Sequence, residues 1–159
     1  MKKLLTIVCL IALCSASAWA QKPDPRVKAA LESNNTKYTI TNSGNYYVKF
    51  RSKSGRTHRA YIESNTTKYF DLEIREVYAV IYESKTPFDK KIARKLLEDA
   101  STRKMGGWKY LKTSSGLHLL YFSIKIDANA SGKKLFSYTD FVTLVADEME
   151  KKIFKTDKY

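Results

Sequence analysis

Cysteine is scarce in this sequence of 159 residues, and both cysteines, Cys9 and Cys14, lie close to the amino terminus. The rest of the chain has no thiol, which excludes a disulfide framework and a Cys–His nucleophile there. Three prolines and six glycines are too few for a collagen-like or Pro-rich disordered chain. The hydrophobic share of 43% is ordinary for a globular protein, so the sequence predicts a compact domain held together by its core alone.

Catalytic motifs are also missing. The only imidazoles belong to His58 and His118, and each is expected to be a satisfied or solvent-facing side chain rather than a general base. The sequence contains no Gly-x-Ser-x-Gly elbow, phosphate-binding loop or dinucleotide fingerprint. We therefore expect a protein with no catalytic residue and no cofactor.

A metal site has little support in the sequence. Asp147, Glu148 and Glu150 are clustered, and Asp147 and Glu150 are the only pair of them with helical spacing. Lys151 and Lys152 follow immediately. This pattern predicts a solvated helix face with charge pairs and no metal.

Only one long hydrophobic run occurs, and it lies at the amino terminus. Lys2 and Lys3 precede an apolar stretch over residues 4–13, and Ala18-Trp19-Ala20 places small residues at the two positions that signal peptidase reads. Residues 1–20 are therefore predicted to be a signal peptide cleaved before Gln21, which implies a periplasmic or secreted protein. Leu13 is bulky where a lipobox has a small residue, and this argues against a lipoprotein anchored through Cys14.

The pattern beyond Gln21 predicts one domain over residues 21–159. A helix is expected from Asp24-Pro25 to Asn34-Asn35, and a second from Thr86-Pro87 over the apolar positions Phe88, Ile92, Leu96 and Ala100. Strands are expected over 46–51, 57–63, about 70–83, 108–113 and 117–127, with a short strand beginning at Tyr38 and Ile40. The run Val77–Tyr82 is almost wholly apolar and predicts a central strand covered on both faces. A last helix is expected from Ser137 to Phe154, with Phe141, Leu144, Val145, Met149 and Ile153 facing inward. The predicted fold class is α+β, α-β-β-β-α-β-β-α, with an antiparallel sheet packed against helices.

This order of elements resembles the YbjN-like family of the type III secretion chaperone-like group. The local similarities are Leu96-Leu97-Glu98 before Gly106-Gly107-Trp108, the strand Leu119-Leu120-Tyr121-Phe122, and residues 145–150 of the last helix. The resemblance implies a type III secretion chaperone-like fold. It also implies a non-catalytic module that regulates sensory transduction or binds a protein partner in a chaperone-like way.

Acidic residues are too few to balance the basic ones, with 16 Asp and Glu against 29 Lys and Arg and a net charge of +13. The hairpin 47–61 contains five of the basic residues and no acidic residue. Strand periodicity places Tyr47, Lys49, Arg51 and Lys53 on one face, and pairing of the two strands would add Arg59 and Tyr61; Arg56 completes the basic set. Alternating cations and tyrosines suit an anionic partner, and after export an anionic envelope component such as a glycan or lipid headgroup fits better than nucleic acid. The alternative is a solvated surface that only keeps the protein in solution.

Aromatic residues offer a second hypothesis. The chain has 11 tyrosines and 7 phenylalanines, and these residue types are enriched at the centres of protein interfaces. They are consistent with a protein partner, and core packing explains them equally well. Homodimerisation through the sheet or the last helix stays open at this level, and no transmembrane segment is expected after cleavage.

Overall fold

The computed structural model describes residues 21–52, 55–155 and 157–159. Three helices and six strands are present in these ranges. They are α1 (Pro25–Ser33), β1 (Thr39–Ile40), β2 (Tyr46–Arg51), β3 (Thr57–Tyr69), β4 (Leu72–Ser84), α2 (Lys90–Thr102), β5 (Gly107–Lys112), β6 (His118–Asp127) and α3 (Gly132–Ile153). The predicted α+β class is confirmed, and the two-residue β1 precedes the three main strands of the first half.

All six strands form one antiparallel sheet in the order β1-β2-β3-β4-β6-β5. The inward-facing side chains of the strands pack with those of all three helices in a single core, which includes Tyr46, Ile62, Phe122, Leu31 and Met149. Phe141 of α3 meets Phe122 edge to face, and Leu96 of α2 is buried in the same core. The helices therefore lie on one face of the sheet.

The predicted start of α1 is confirmed at atomic detail. The Asp24 carboxylate accepts a hydrogen bond from the backbone N–H of Arg26, and Pro25 stands at the first helical position, where its missing N–H has no cost. Val27 and Leu31 form the buried stripe of the helix.

The turn between β3 and β4 lies later in the chain than the sequence indicates. The sequence predicts a strand over 57–63, but β3 continues to Tyr69, and Phe70-Asp71 form a two-residue connection to Leu72. Asn65 lies within a shift of register between Ile62 and Thr66. Strand pairing continues past the predicted end, because a bulge absorbs the irregularity.

The starts of the other two helices also differ from prediction. Asp89, not Thr86, caps α2, because its carboxylate accepts from the N–H of Lys91. The last helix begins at Gly132 instead of Ser137, so it includes five residues before its predicted start. Leu144, expected inside, is 58% exposed, while Val142 takes the buried position.

The central strand β4 differs from prediction in how it is covered. Its residues Val77, Ala79 and Ile81 are buried beneath the helices, but no described helix covers the side that carries Tyr78. Tyr78 is shielded by neighbouring side chains of the same sheet face instead. An almost continuous apolar run therefore did not require two helical layers.

The predicted signal peptide lies outside the described residues. Within the ranges that the structure covers, no helix combines the length and apolar character needed to cross a bilayer.

Candidate binding face

The helix-free side of the sheet, here called the open face, is the candidate functional surface. Because successive strand residues point to opposite sides, it carries Tyr47, Lys49 and Arg51 from β2 and Arg59 and Tyr61 from β3. The register pairs Tyr47 with Tyr61 and Lys49 with Arg59, as the sequence predicted for these five residues. Further along the sheet, the face continues through Glu63, Glu76, Tyr78, Tyr121, Lys125 and Lys109.

Four tyrosines cross the open face, and we call them the tyrosine row. Ring centroids are 5.8 Å apart between Tyr47 and Tyr61, 5.2 Å between Tyr61 and Tyr78, and 5.2 Å between Tyr78 and Tyr121. The row spans three strand spacings, about 15 Å. The two central rings are nearly parallel, 14° apart, and therefore stack on each other.

Stacking within the row decides what its members can offer to a ligand. Tyr61 and Tyr78 each cover one face of the other ring, and this contact leaves their edges and hydroxyl groups uncovered. Aromatic edges carry partial positive charge. None of the hydrogen bonds among the described residues uses a hydroxyl of the four tyrosines, and burial raises the pKa of Tyr78 and Tyr121, so these phenols stay protonated donors.

Lys49, Arg51 and Arg59 form a basic row beside the tyrosines. Lys49 and Arg59 stand directly opposite each other on neighbouring strands, an arrangement that like charges disfavour. Within the described part of the chain, none of the three cations forms an ion pair, and the Nε of Arg59 is buried without a hydrogen-bond partner. The guanidinium of Arg59 lies over the Tyr47 ring at 5.8 Å. An anion placed between these cations would relieve their repulsion.

Arg56 does not belong to this surface, which corrects the sequence prediction. Its side chain crosses to α3 on the opposite side of the sheet, where Nε donates to Asp147 at 2.6 Å and a terminal nitrogen donates to Glu150 at 3.2 Å. Arg56 precedes β3, so strand alternation did not fix its direction. Lys53, the remaining cation of the predicted set, lies outside the described residues.

At the other end of the open face, acids and lysines are paired. Lys109 donates to Glu76 at 2.7 Å, and Lys125 donates to the second oxygen of the same carboxylate. Burial disfavours ionisation of Glu76, but these hydrogen bonds outweigh it and lower the pKa of the carboxyl. Burial raises the pKa of the nearby Glu63, and the charge of Glu76 adds to this effect. The face is thus cationic at one end and close to neutral at the other.

A second polar cluster lies on the helical side. Carboxylate oxygens of Asp147, Glu150 and Asp157 lie within 4.8 Å of one another, and Glu150 is fully buried. This corrects the prediction that Asp147 and Glu150 lie on a solvated helix face; Glu148 alone is solvated there. Arg56 donates to Asp147 and Glu150, so these two carboxylates belong to an ion-pair network that ties the residue before β3 to α3.

His58 completes that network and gives a testable dependence on pH. It is buried, its Nε2 lies 3.8 Å from Glu150, and its Nδ1 accepts the N–H of Arg59. Burial lowers the pKa of His58 from 6.5 more than the nearby carboxylates Glu150 and Asp147 raise it. A histidine held neutral stabilises the fold above its unfolded pKa, and this contribution is lost as pH falls below about 6.5.

We therefore expect the wild-type protein to lose stability between pH 7.5 and pH 5.5, and His58→Phe to lose about 1 kcal/mol less over that range. Urea unfolding of both chains at the two pH values measures the difference. Equal losses in the two chains would show that His58 is not the group responsible.

The sequence predicted only some of the residues that lie on the open face. Periodicity identified Tyr47, Lys49, Arg51, Arg59 and Tyr61, whereas Tyr78 and Tyr121 were hidden in apolar runs that predict only core strands. The available signal was that Tyr78 lies two residues after Glu76 and Tyr121 four residues before Lys125, because the strand period of two then puts each tyrosine on the same face as a charged residue. The other histidine, His118, is buried, and its Nδ1 shares a hydrogen bond with the Tyr110 hydroxyl at 2.7 Å.

No family model, no curated protein and no solved structure matches the chain, so these comparisons assign it to no family.

Proposed function

We propose that this protein is an exported, non-catalytic binding module that holds an anionic polymer of the cell envelope, such as an acidic glycan, on its open face. The observation that carries the proposal is the unpaired cation pair Lys49–Arg59 beside the tyrosine row. The cations supply charge, and the phenol hydroxyls supply hydrogen-bond donors to carboxylate or phosphate oxygens.

The shape of the open face favours an extended ligand. Five cavities among the described residues lie at the sheet edges, the strand ends and the helical side, and none of these five is lined by a member of the tyrosine row. Small ligands usually bind in concave sites that bury most of their surface. A polymer with repeated negative charges can instead contact a flat row of donors about 15 Å long at several points.

Charge reversal on the open face tests this function. We expect Lys49→Glu/Arg59→Glu to weaken binding to polygalacturonate at least tenfold at low salt, because two attractions become repulsions. The matched control Lys90→Glu/Lys91→Glu makes the same change in net charge at exposed positions on α2 and should lose far less affinity for the polymer. Binding is measured by titration at increasing salt. Equal weakening in the two double variants would mean that net charge alone attracts the polymer, and the proposal would fail.

Tyr61→Phe refines the same measurement, since it removes one hydroxyl and keeps the ring. A weaker interaction with no change in salt dependence is expected if the tyrosine row donates hydrogen bonds to the ligand. Unchanged binding would show that the Tyr61 hydroxyl forms no hydrogen bond with the ligand.

A second candidate function is recognition of a protein partner in the chaperone-like or regulatory role that the YbjN resemblance implies. The order of elements supports a type III secretion chaperone-like fold. The specific observation in its favour is an apolar groove of about 160 Å³ between α2 and β5, lined by Phe88, Leu96, Leu97, Trp108 and Tyr110. Leu97→Asp would abolish binding of a partner in this groove, whereas charge reversal on the open face would leave that binding intact. The two variants therefore separate the two functions.

A further inference from the structure

The hairpin that joins β3 to β4 presents apolar side chains to solvent at its end, here called the hairpin tip (residues 68–72). Phe70 is 87% exposed, Tyr69 64% and Leu72 58%. Tyr69 and Leu72 are cross-strand partners, and the Tyr69 ring meets the Phe70 ring edge to face at 4.8 Å. The three side chains therefore form one contiguous patch, and exposed patches of this kind mark interaction sites.

The backbone at the tip shows that folding alone does not favour phenylalanine there. Phe70 has φ of +53°, in the left-handed region that bulky residues avoid. Two-residue hairpin connections place glycine or asparagine at such positions. Phe70 is thus strained and almost fully exposed, and no described contact buries it in compensation.

We propose that the hairpin tip inserts into the surface of a lipid bilayer, with Phe70 and Leu72 entering the acyl boundary and Tyr69 at headgroup level. The tip is convex, and a bilayer receives a convex apolar wedge without a complementary pocket. Tyrosine, with an apolar ring and a polar hydroxyl, is suited to the interface.

The surroundings of the tip fit this occupant. The groove beside it is lined partly by the tip's own Phe70 and Leu72, and its charged residues are Lys68, Asp71, Glu73, Lys125 and Asp127. An apolar end above a polar collar is the arrangement of an interfacial anchor, in which the collar stays in the hydrated headgroup layer. The collar contains both signs of charge, so attraction to anionic lipid comes from the excess of Lys and Arg over the whole chain.

The test separates insertion from stability. Because asparagine tolerates the left-handed region, Phe70→Asn is expected to raise the midpoint of thermal unfolding by a few degrees. It should also lower partitioning into vesicles of phosphatidylcholine with 30% phosphatidylglycerol about tenfold, through the loss of apolar surface. The chain from Gln21 onward is used, because it contains the whole described core and lacks the apolar run of residues 4–13.

Two further variants complete the design. Leu144→Asn removes a leucine that is 58% exposed on α3, as exposed as Leu72, and should leave partitioning unchanged. The emission of Phe70→Trp should shift to the blue with vesicles and should be quenched by brominated lipid. The inference is overturned if the wild-type chain does not bind the vesicles, if Phe70→Asn binds as well as wild type, or if Leu144→Asn lowers partitioning as much as Phe70→Asn does. Lys49→Glu/Arg59→Glu leaves the tip side chains intact, so this variant should partition into vesicles of phosphatidylcholine alone as the wild-type chain does, which distinguishes the tip from the open face.

Discussion

Replacement of Arg75 by methionine is expected to lower the free energy of unfolding by about 3–5 kcal/mol, the usual cost of breaking a buried ion pair. Arg75 is one of the largest fully buried side chains, and its guanidinium donates to the Asp24 carboxylate at 2.6 Å. It also donates to the carbonyl oxygens of Glu63 and Ser64. These carbonyls lie in the register shift of β3, where the strand ladder is interrupted. Methionine would leave them buried without a donor.

The matched control is Arg26→Met, because Arg26 contacts the same carboxylate from a side chain that is 40% exposed. Its loss is expected to cost less than about 1 kcal/mol. Both values come from urea unfolding monitored by circular dichroism. Equal free energies of unfolding in the two variants would show that the burial of Arg75 adds nothing to the stability of the fold.

The Arg75→Met variant should also unfold at a higher pH than wild type. Burial opposes ionisation of Asp24, but hydrogen bonds from Arg26 and Arg75 outweigh it and lower the pKa of the carboxyl well below its ordinary value of 3.8. A lowered carboxyl pKa stabilises the fold above pH 3.8, and this stability is lost as pH falls further. Without Arg75 the shift is smaller, so less of this stabilisation remains to resist acid.

Substitution of Gly132 is the second large expected effect. Gly132 begins α3 where that helix touches α1, and a Cβ there would overlap the carbonyl oxygen of Ala30 and the hydroxyl of Ser33. The carbonyl is backbone and cannot rotate away, so α1 and α3 must separate. We expect Gly132→Ala to destabilise the protein by about 2–3 kcal/mol.

Gly107→Ala provides the comparison for this effect. A Cβ at Gly107 would meet no atom within 4 Å, and its φ lies outside the left-handed region. Its stability should differ from wild type by less than about 0.5 kcal/mol. A similar loss in both variants would indicate a general intolerance of alanine instead of a close approach of the two helices.

Local chemistry made several features of the fold predictable. The Asp24-Pro25 cap and the alternation of β2 depend on residues that are neighbours in sequence, and both are confirmed. Predictions failed where distant groups compete with a local signal. Strand pairing carried β3 past Asn65 as far as Tyr69, and packing against α1 drew the start of α3 back to Gly132.

The amino-acid sequence by itself determined which side chains share a face of one strand, because a strand's period of two follows from backbone geometry. Tyr47, Lys49 and Arg51 were therefore known to lie together. Only the tertiary structure decided that this side is free of helices, that Tyr78 and Tyr121 extend it, and that Arg56 leaves it for α3. Those outcomes depend on register between strands far apart in the chain and on where the helices pack, which no local pattern encodes.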